Sequence, residues 1–221
     1  VPIIYLNMVG GQDELVFDGG SFVVDETGEI IYQASQFDEE VFHLDLDLLI
    51  KRSSDKSNLK LRTKSLELES SISSPTLTEN ESIYSALKLG LFDYVTKNNF
   101  KKVLIGISGG IDSALTAAIC VDALGSDNVI GVAMPSKYNS SESLDDAIAL
   151  AKNLNMELKV IEIESLVETF RSTLSSAVVD KLSQVTDENI QSRVRGNILM
   201  GLSNQTGAMV VSTGNKSEMA V

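Results

Sequence analysis

Apolar positions change their spacing near residue 78, and the change separates two kinds of element. Before it, short apolar runs alternate with turn residues: Ile3 to Val9, Gly10-Gly11-Gln12-Asp13, Leu15-Val16-Phe17, Asp18-Gly19-Gly20, Ser21 to Val24, Glu26-Thr27-Gly28 and Ile30-Ile31-Tyr32. Runs this short, bounded by Gly and Asp, predict strands joined by tight turns, and a β-meander is their simplest arrangement. So few strands bury too little surface to stand alone, so they are expected to complete a larger sheet or pack on a neighbour. Residues 51–80 then interleave Lys51, Arg52, Lys56, Lys60, Arg62 and Lys64 with Ser and Asp, ahead of Ser70-Ser71-Ile72-Ser73-Ser74-Pro75. That is the composition of a linker.

From Thr78 the period lengthens. Thr78-x-x-Glu81 has the form of a capping box, and Ile83, Leu87, Leu91, Tyr94 and Val95 fall on one helical face. The apolar run from Val103 to Ile107 predicts a strand, Ala114 to Leu124 a helix, and Val129 to Met134 a second strand. Ser143 to Leu154 reads as a helix, Leu158 to Ile163 as a strand and Leu166 to Ala177 as a helix. A long helix from about Asp187 to Ser203 leads to a strand from Ala208 to Ser212. Such alternation predicts an α/β fold, a doubly wound parallel sheet with helices on both faces and a ligand crevice at the carboxyl ends of its strands.

One junction in this alternation carries chemistry. Ser108-Gly109-Gly110-Ile111-Asp112-Ser113 joins the strand ending at Ile107 to the next helix, where glycines let a ligand approach the backbone. The first amides and the dipole of the helix favour an anion, which makes phosphate the expected guest. The chain contains neither the Gly-x-x-x-x-Gly-Lys-Ser/Thr of a P-loop nor the Gly-x-Gly-x-x-Gly of a dinucleotide fold.

Composition narrows the partners. The 221 residues are 43% hydrophobic and 22% charged, ordinary for a globular protein with a core. The formal charge of −13 is uneven: residues 1–50 hold eleven acids and no Lys or Arg, and residues 51–221 hold twenty acids against eighteen bases. No basic stripe offers itself to nucleic acid. The single cysteine, Cys120, rules out an intramolecular disulfide and reads as a buried structural residue, which fits a reducing, cytoplasmic compartment. No apolar run approaches the ~20 residues of a membrane span, and the first residues lack a basic signal region. Without an initiator Met, and with an abrupt finish at Glu218-Met219-Ala220-Val221, both ends are expected to be cuts in a longer chain.

The glycine turn resembles the SGGxDS loop of the N-type ATP pyrophosphatases, whose fold is adenine nucleotide alpha hydrolase-like. Two further blocks narrow the resemblance to the NAD synthetases: Glu188-Asn189-Ile190-Gln191-Ser192-Arg193-Val194-Arg195 with Leu199-Met200 and Ser203-Asn204, and Ser212-Thr213-Gly214-Asn215-Lys216-Ser217-Glu218. Tyr138-Asn139-Ser140-Ser141, followed by Ser143 and Asp146-Ala147, belongs to the same pattern. The segment from Asn7 to Gly19 resembles the last strands of the nitrilase-type glutaminase domain in the glutamine-dependent members. The organisation implied is residues 1–50 as the end of that β-rich domain, 51–80 as a linker, and 81–221 as an ATP pyrophosphatase domain that continues beyond Val221.

The resemblance implies a chemistry. ATP adenylates the nicotinate carboxylate of deamido-NAD, pyrophosphate leaves, and ammonia from glutamine attacks the acyl-adenylate to give NAD and AMP. Gly106, Ile107, Ser108, Gly109, Gly110, Ile111, Asp112 and Ser113 would hold the triphosphate, with Thr213 also on ATP. Asp112 would ligate Mg²⁺, Glu218 a second Mg²⁺ or the dinucleotide, and Asn189 with Arg193 the deamido-NAD. No residue is assigned as acid, base or nucleophile, and a homo-oligomer is the expected assembly. Bland roles stand beside these: Asp112 as a helix cap, Glu218 as a first-turn acid, Lys216 on the surface, Gln12 and Asp13 as turn formers, His43 and Met134 as structural residues. Arg193 and Arg195, two apart on a helix, cannot share one face, and Arg193 is preferred for the site.

The glutaminase nucleophile, a Cys with Glu and Lys helpers, would lie upstream, and a Gly-Tyr-x-Thr-Leu-Tyr-Gly-Asp run would follow Val221. These residues alone are therefore expected to be inactive, an expectation that glutamine turnover by the isolated chain would overturn. Rival readings are another N-type pyrophosphatase, such as GMP synthetase or a tRNA-modifying adenylating enzyme, and a non-catalytic adenine-nucleotide sensor.

Overall fold

The computed structural model describes residues 1–44, 62–63, 77–136, 141–178 and 182–220. They divide into two compact units, Val1–Tyr94 and Val95–Val221. Seven short strands occupy the first: β1 (Ile3–Tyr5), β2 (Val9–Gln12), β3 (Leu15–Asp18), β4 (Phe22–Val24), β5 (Ile30–Gln33), β6 (Phe42–His43) and β7 (Arg62–Thr63). Helix α1 (Glu79–Lys97) follows them.

The meander expected at the front does not form as one sheet. The order is β1-β4-β5, with the β2–β3 hairpin set apart and β6 paired with β7. The run from Ile3 to Val9 is interrupted because Asn7 is taken up by the neighbouring turn. Its amide donates to Ser21 Oγ at 2.9 Å, and its side chain donates to Asp18 Oδ1 at 3.0 Å and to the Gly19 carbonyl at 2.9 Å. Asp13 takes a left-handed φ of 52° at the hairpin turn, the turn-forming role read for it. Within the stretch of linker composition, Arg62–Thr63 pairs antiparallel with Phe42–His43.

Val23, Ile31, Tyr32 and Ala34 form a small core, where the Tyr32 and Phe42 rings lie 4.3 Å apart. The Tyr32 hydroxyl donates to the Glu40 carboxylate, and burial together with that carboxylate pushes the phenol pKa up. Gly11 meets α1 backbone to backbone: a Cβ there would lie 3.1 Å from Gly90 Cα. The Gly11 amide donates to Asp93 Oδ2 at 2.6 Å.

The capping box of α1 is present, with Thr78 N and Oγ1 each 2.8 Å from Glu81 Oε2. Its apolar face is only partly covered: Val95 is buried, whereas Ile83, Leu87 and Tyr94 are exposed.

The second unit contains β8 (Val103–Ile107), α2 (Ile111–Leu124), β9 (Val129–Ala133), α3 (Ser141–Asn153), β10 (Glu157–Val160), α4 (Glu164–Ala177), α5 (Gln184–Thr206), β11 (Met209–Val211) and the short α6 (Lys216–Met219). Its four strands are all parallel, in the order β10-β9-β8-β11. The two central strands are buried on both faces, which explains why β8 and β9 read as continuous apolar runs rather than alternating ones. On one face Leu104, Ile130 and Val132 pack against Val167 of α4 and Ile190 and Val194 of α5. The alternate residues, Val103, Ile105, Ile107 and Val129, are also buried, and α2 contacts β8 and β9.

Helix α5 starts on Ser183, whose hydroxyl accepts from Thr186 N at 3.2 Å, and ends at Gly207 in the left-handed region. Arg171 of α4 ties the two helices with a fork on Asp187, donating from Nη2 at 2.8 Å as well as from Nε, while Nη1 reaches Glu164 at 3.1 Å. Because the chain steps from β8 outward to β9 and β10 and then returns to place β11 on the other side of β8, the strand order reverses beside β8, and the carboxyl end of β8 is the position where open α/β sheets hold ligands.

Candidate functional site

The Ser108 to Ser113 turn occupies that position. Gly109 has φ +83°, a left-handed conformation that bends the chain out of β8 and into α2. A Cβ there would lie 2.4 Å from the Ser143 carbonyl oxygen, so the loop rests backbone to backbone on the first turn of α3. The first helical bond of α2 runs from Ala114 N to the Gly110 carbonyl at 3.1 Å. The amides of Ile111, Asp112 and Ser113 therefore have no intrahelical acceptor and form the positive end of the dipole.

The two serines of the turn differ in role. Ser113 is buried, its hydroxyl donating to the Gly110 carbonyl at 2.9 Å and accepting from Ser108 N at 3.3 Å. With its one proton committed, the 3.1 Å contact with Ser108 Oγ must have Ser108 as donor. Ser113 thus braces the loop from inside. Exposed Ser108 also accepts from Gly110 N at 3.1 Å.

A cavity of about 350 Å³ opens at the ends of β8, β9 and β11. Gly106, Ile107, Ser108 and Thr213, four of the residues assigned to ATP by resemblance, line it together with Ala133, Met134, Pro135, Ser143, Leu144, Arg195 and Leu199. The Arg195 Nε donates to the Met134 carbonyl at 3.4 Å, and burial lowers the pKa of its guanidinium. Of the two arginines preferred or set aside from sequence, it is therefore Arg195 that reaches this cavity. Arg193 is exposed, its Nη1 donating to the Asn189 carbonyl at 3.2 Å, and Asn189 Nδ2 donates to Val185. Met134, read as structural, is both buried in the core and part of the cavity wall. His43 is exposed on β6.

Gly109, Gly110 and Ile111 border a second cavity of about 410 Å³, whose other wall is Asp146, Ala149, Leu150 and Asn153 of α3. Glu218 lines neither cavity. It closes a capping box on α6, its Oε2 accepting from Asn215 N at 3.2 Å while Asn215 Oδ1 accepts from Glu218 N at 3.0 Å. Tyr138, Asn139 and Ser140 of the third motif lie outside the described residues.

The donor set suits a metal shared with a phosphate. Asp112 is exposed on the first turn of α2, and no hydrogen bond or ion pair engages its carboxylate among the described residues. Those residues contain no cluster of three or more His, Cys, Asp or Glu. A single carboxylate beside an amide-rich turn fits Mg²⁺, which keeps most of its ligands as water and phosphate oxygen.

The family profile described as NAD synthase matches residues 83–221. The glutamine-dependent NAD(+) synthetase of Thermotoga maritima is 47% identical over 238 aligned positions, which take in 100% of this chain and 41% of the relative. The solved glutamine-dependent NAD+ synthetase of Acinetobacter baumannii, in complex with adenosine diphosphate, superposes with a TM-score of 0.85 at 41% identity, covering 100% of this chain and 39% of that one. The NH3-dependent NAD synthetase of Campylobacter jejuni matches 64% of this chain and 59% of its own, with a TM-score of 0.59 and 32% identity. The chain thus spans about two fifths of the length of the glutamine-dependent relatives it matches. Among the described residues, no helix is long and apolar enough to cross a membrane.

Proposed function

The chain belongs to the NAD synthase family, and from that premise we propose that it serves a ligase converting deamido-NAD to NAD with ATP and glutamine-derived ammonia. A carboxylate oxygen of the nicotinate attacks the α-phosphorus, the bond to the bridging oxygen breaks, and its electron pair leaves with pyrophosphate. Ammonia then attacks the acyl carbon, AMP departs with the acyl–oxygen electron pair, and one proton is released. The observation that carries this reading is Ser108, the first residue of the SGGxDS turn, sharing one cavity with Thr213 beyond the ends of the neighbouring strands β8 and β11.

The residues divide the work by their chemistry. Amides of Ile111, Asp112 and Ser113 receive the leaving phosphates, where fixed dipoles cost no reorganisation as charge develops. Ser108 and Thr213 position the nucleotide in the cavity, whose Met134, Leu144 and Leu199 walls suit a base. Asp112 would hold Mg²⁺, which neutralises charge on pyrophosphate. Asn189 and Arg193, exposed on α5, remain the proposed contacts to deamido-NAD, with Glu218 as a second metal or dinucleotide ligand. Residues 1–50 would be the end of the nitrilase-type glutaminase domain that supplies ammonia, in a cytoplasmic homo-oligomer. The family match favours this reading over GMP synthetase and tRNA-modifying enzymes.

The test is pyrophosphate release by the full-length protein with ATP, Mg²⁺ and ammonium, with and without deamido-NAD, beside Asp112→Ala. Release that requires deamido-NAD and collapses in the variant is expected. Release indifferent to deamido-NAD overturns the substrate assignment.

A further inference from the structure

We propose that Arg195 is a catalytic residue that binds the α-phosphate under attack and stabilises the charge that gathers on its non-bridging oxygens. The inference deepens the function proposed above and rests on it. Among the described residues, Arg195 is the one charged side chain in the wall of the nucleotide cavity, and most of that wall is apolar. Its Nε is fixed to the Met134 carbonyl, at the carboxyl end of β9, which orients a planar fork suited to two phosphate oxygens. Burial lowers the pKa of its guanidinium, and an anion bound beside it favours the charged form.

Position separates its task from that of the glycine turn. The loop amides and the α2 dipole serve the two phosphates that leave. Arg195 comes from α5, a different element, into the same cavity as Ser108 and Thr213. As the nicotinate carboxylate adds to the α-phosphorus and the pyrophosphate bond breaks, the adenylyl group carries negative charge on its non-bridging oxygens through a five-coordinate arrangement. A cation fixed beforehand at that point stabilises the transition state more than the ground state, which lowers the barrier instead of tightening ATP binding. Arg193, whose guanidinium returns to the backbone of its own helix, cannot substitute from its exposed face.

The experiment uses the full-length protein with Arg195→Met and Arg195→Lys, following deamido-NAD-dependent pyrophosphate release at varied ATP. Arg195→Met is expected to lower kcat by on the order of 10² to 10³ with little change in KM for ATP. Arg195→Lys, which keeps the charge but loses the fork, should recover part of the loss. The two diastereomers of ATP thiolated at the α-phosphorus supply a readout that a merely structural role would not move: the wild-type preference between them should shrink in both variants. If Arg195→Met fails to fold by circular dichroism, the lysine variant carries the same comparison. A rise confined to KM, or an unchanged diastereomer preference, overturns the assignment and places Arg195 on the base or outside the reaction. If the wild-type protein itself shows no deamido-NAD-dependent release, the proposed function falls and takes this assignment with it; if it does, only the role of Arg195 is decided.

Discussion

Gly109 and Gly110 stand side by side in the glycine turn after β8, and the structure gives them unequal tolerance to alanine. At Gly109 the backbone has φ +83°, where a residue with a Cβ costs about 1–2 kcal/mol. The added carbon would also lie 2.4, 2.9 and 3.0 Å from the O, Cα and C atoms of Ser143, all backbone. Ordinary contact begins at 3.4 Å, so the first turn of α3 or the loop must retreat by about 1 Å. Overpacking of that kind adds about 1–3 kcal/mol, for a total near 2–5 kcal/mol. At Gly110 φ is −89° and the nearest atom is the rotatable Ser108 Oγ at 3.2 Å. Alanine there should cost about 1 kcal/mol or less, chiefly as a weaker helix cap. In thermal melts monitored by circular dichroism, about 2–4 °C per kcal/mol gives a fall of roughly 4–20 °C for Gly109→Ala against a few degrees for Gly110→Ala. Equal shifts in the two variants, or no shift in Gly109→Ala, would refute the backbone-contact argument.

Ser113→Ala removes the internal brace of the loop, taking the hydroxyl from the Ser108 amide while the Gly110 carbonyl keeps Ala114 N, so a loss of about 0.5–1.5 kcal/mol is expected in denaturant titration. A Cβ at Gly106 would make ordinary contacts, 3.5 Å from Leu199 Cδ1 and 3.7 Å from Met134 Cε. Gly106→Ala should therefore melt near wild type yet raise KM for ATP, and an unchanged KM would show that the cavity floor does not touch nucleotide. Cys120 is fully buried, and burial pushes its thiol up to about 12 from 9.0. The folded chain then holds a proton that the unfolded chain gives up first, so this contribution to stability is intact below pH 9.0 and is lost as pH rises toward about 12. Cys120→Ala should flatten that decline, and a thiol reagent should modify the wild-type protein only on unfolding.

The parallel sheet was legible because β8, β9 and β11 are short apolar runs separated by helices, whereas β10, expected from Leu158 to Ile163, spans Glu157–Val160 with charged residues at alternate positions. Each of β8, β9 and β11 falls where the run of Val, Ile and Leu placed it, and the glycine turn follows β8 directly. The front segment was less legible. Apolar runs marked strands but could not say which strands pair. The interruption at Asn7 depends on three hydrogen bonds to Ser21, Asp18 and Gly19, partners eleven or more residues away. The same limit explains α1, where the spacing of Ile83, Leu87 and Tyr94 identifies a face without identifying what covers it.

The two arginines of α5 show that the site held more information than the motif reading extracted. At about 100° per residue, with Ile190 at zero, Val194, Ile198 and Leu202 fall near 40°, 80° and 120°. All four pack in or against the core, so the buried stripe is centred near 60°. Arg195 falls near 140°, at the edge of that stripe beside Leu199, whereas Arg193 falls near 300°, on the opposite side of the helix. The exposed position of Arg193 and the cavity position of Arg195 follow from this phase alone. Matching a motif ranks residues by resemblance; the helical phase ranks them by direction, and only the second separates a cation that can be desolvated against a reacting phosphate from one that meets its ligand at the surface. If both assignments hold, substitution at 195 should act on kcat and substitution at 193 on KM for deamido-NAD. That split, measured in one protein on one helix, would fail if either variant altered both parameters together.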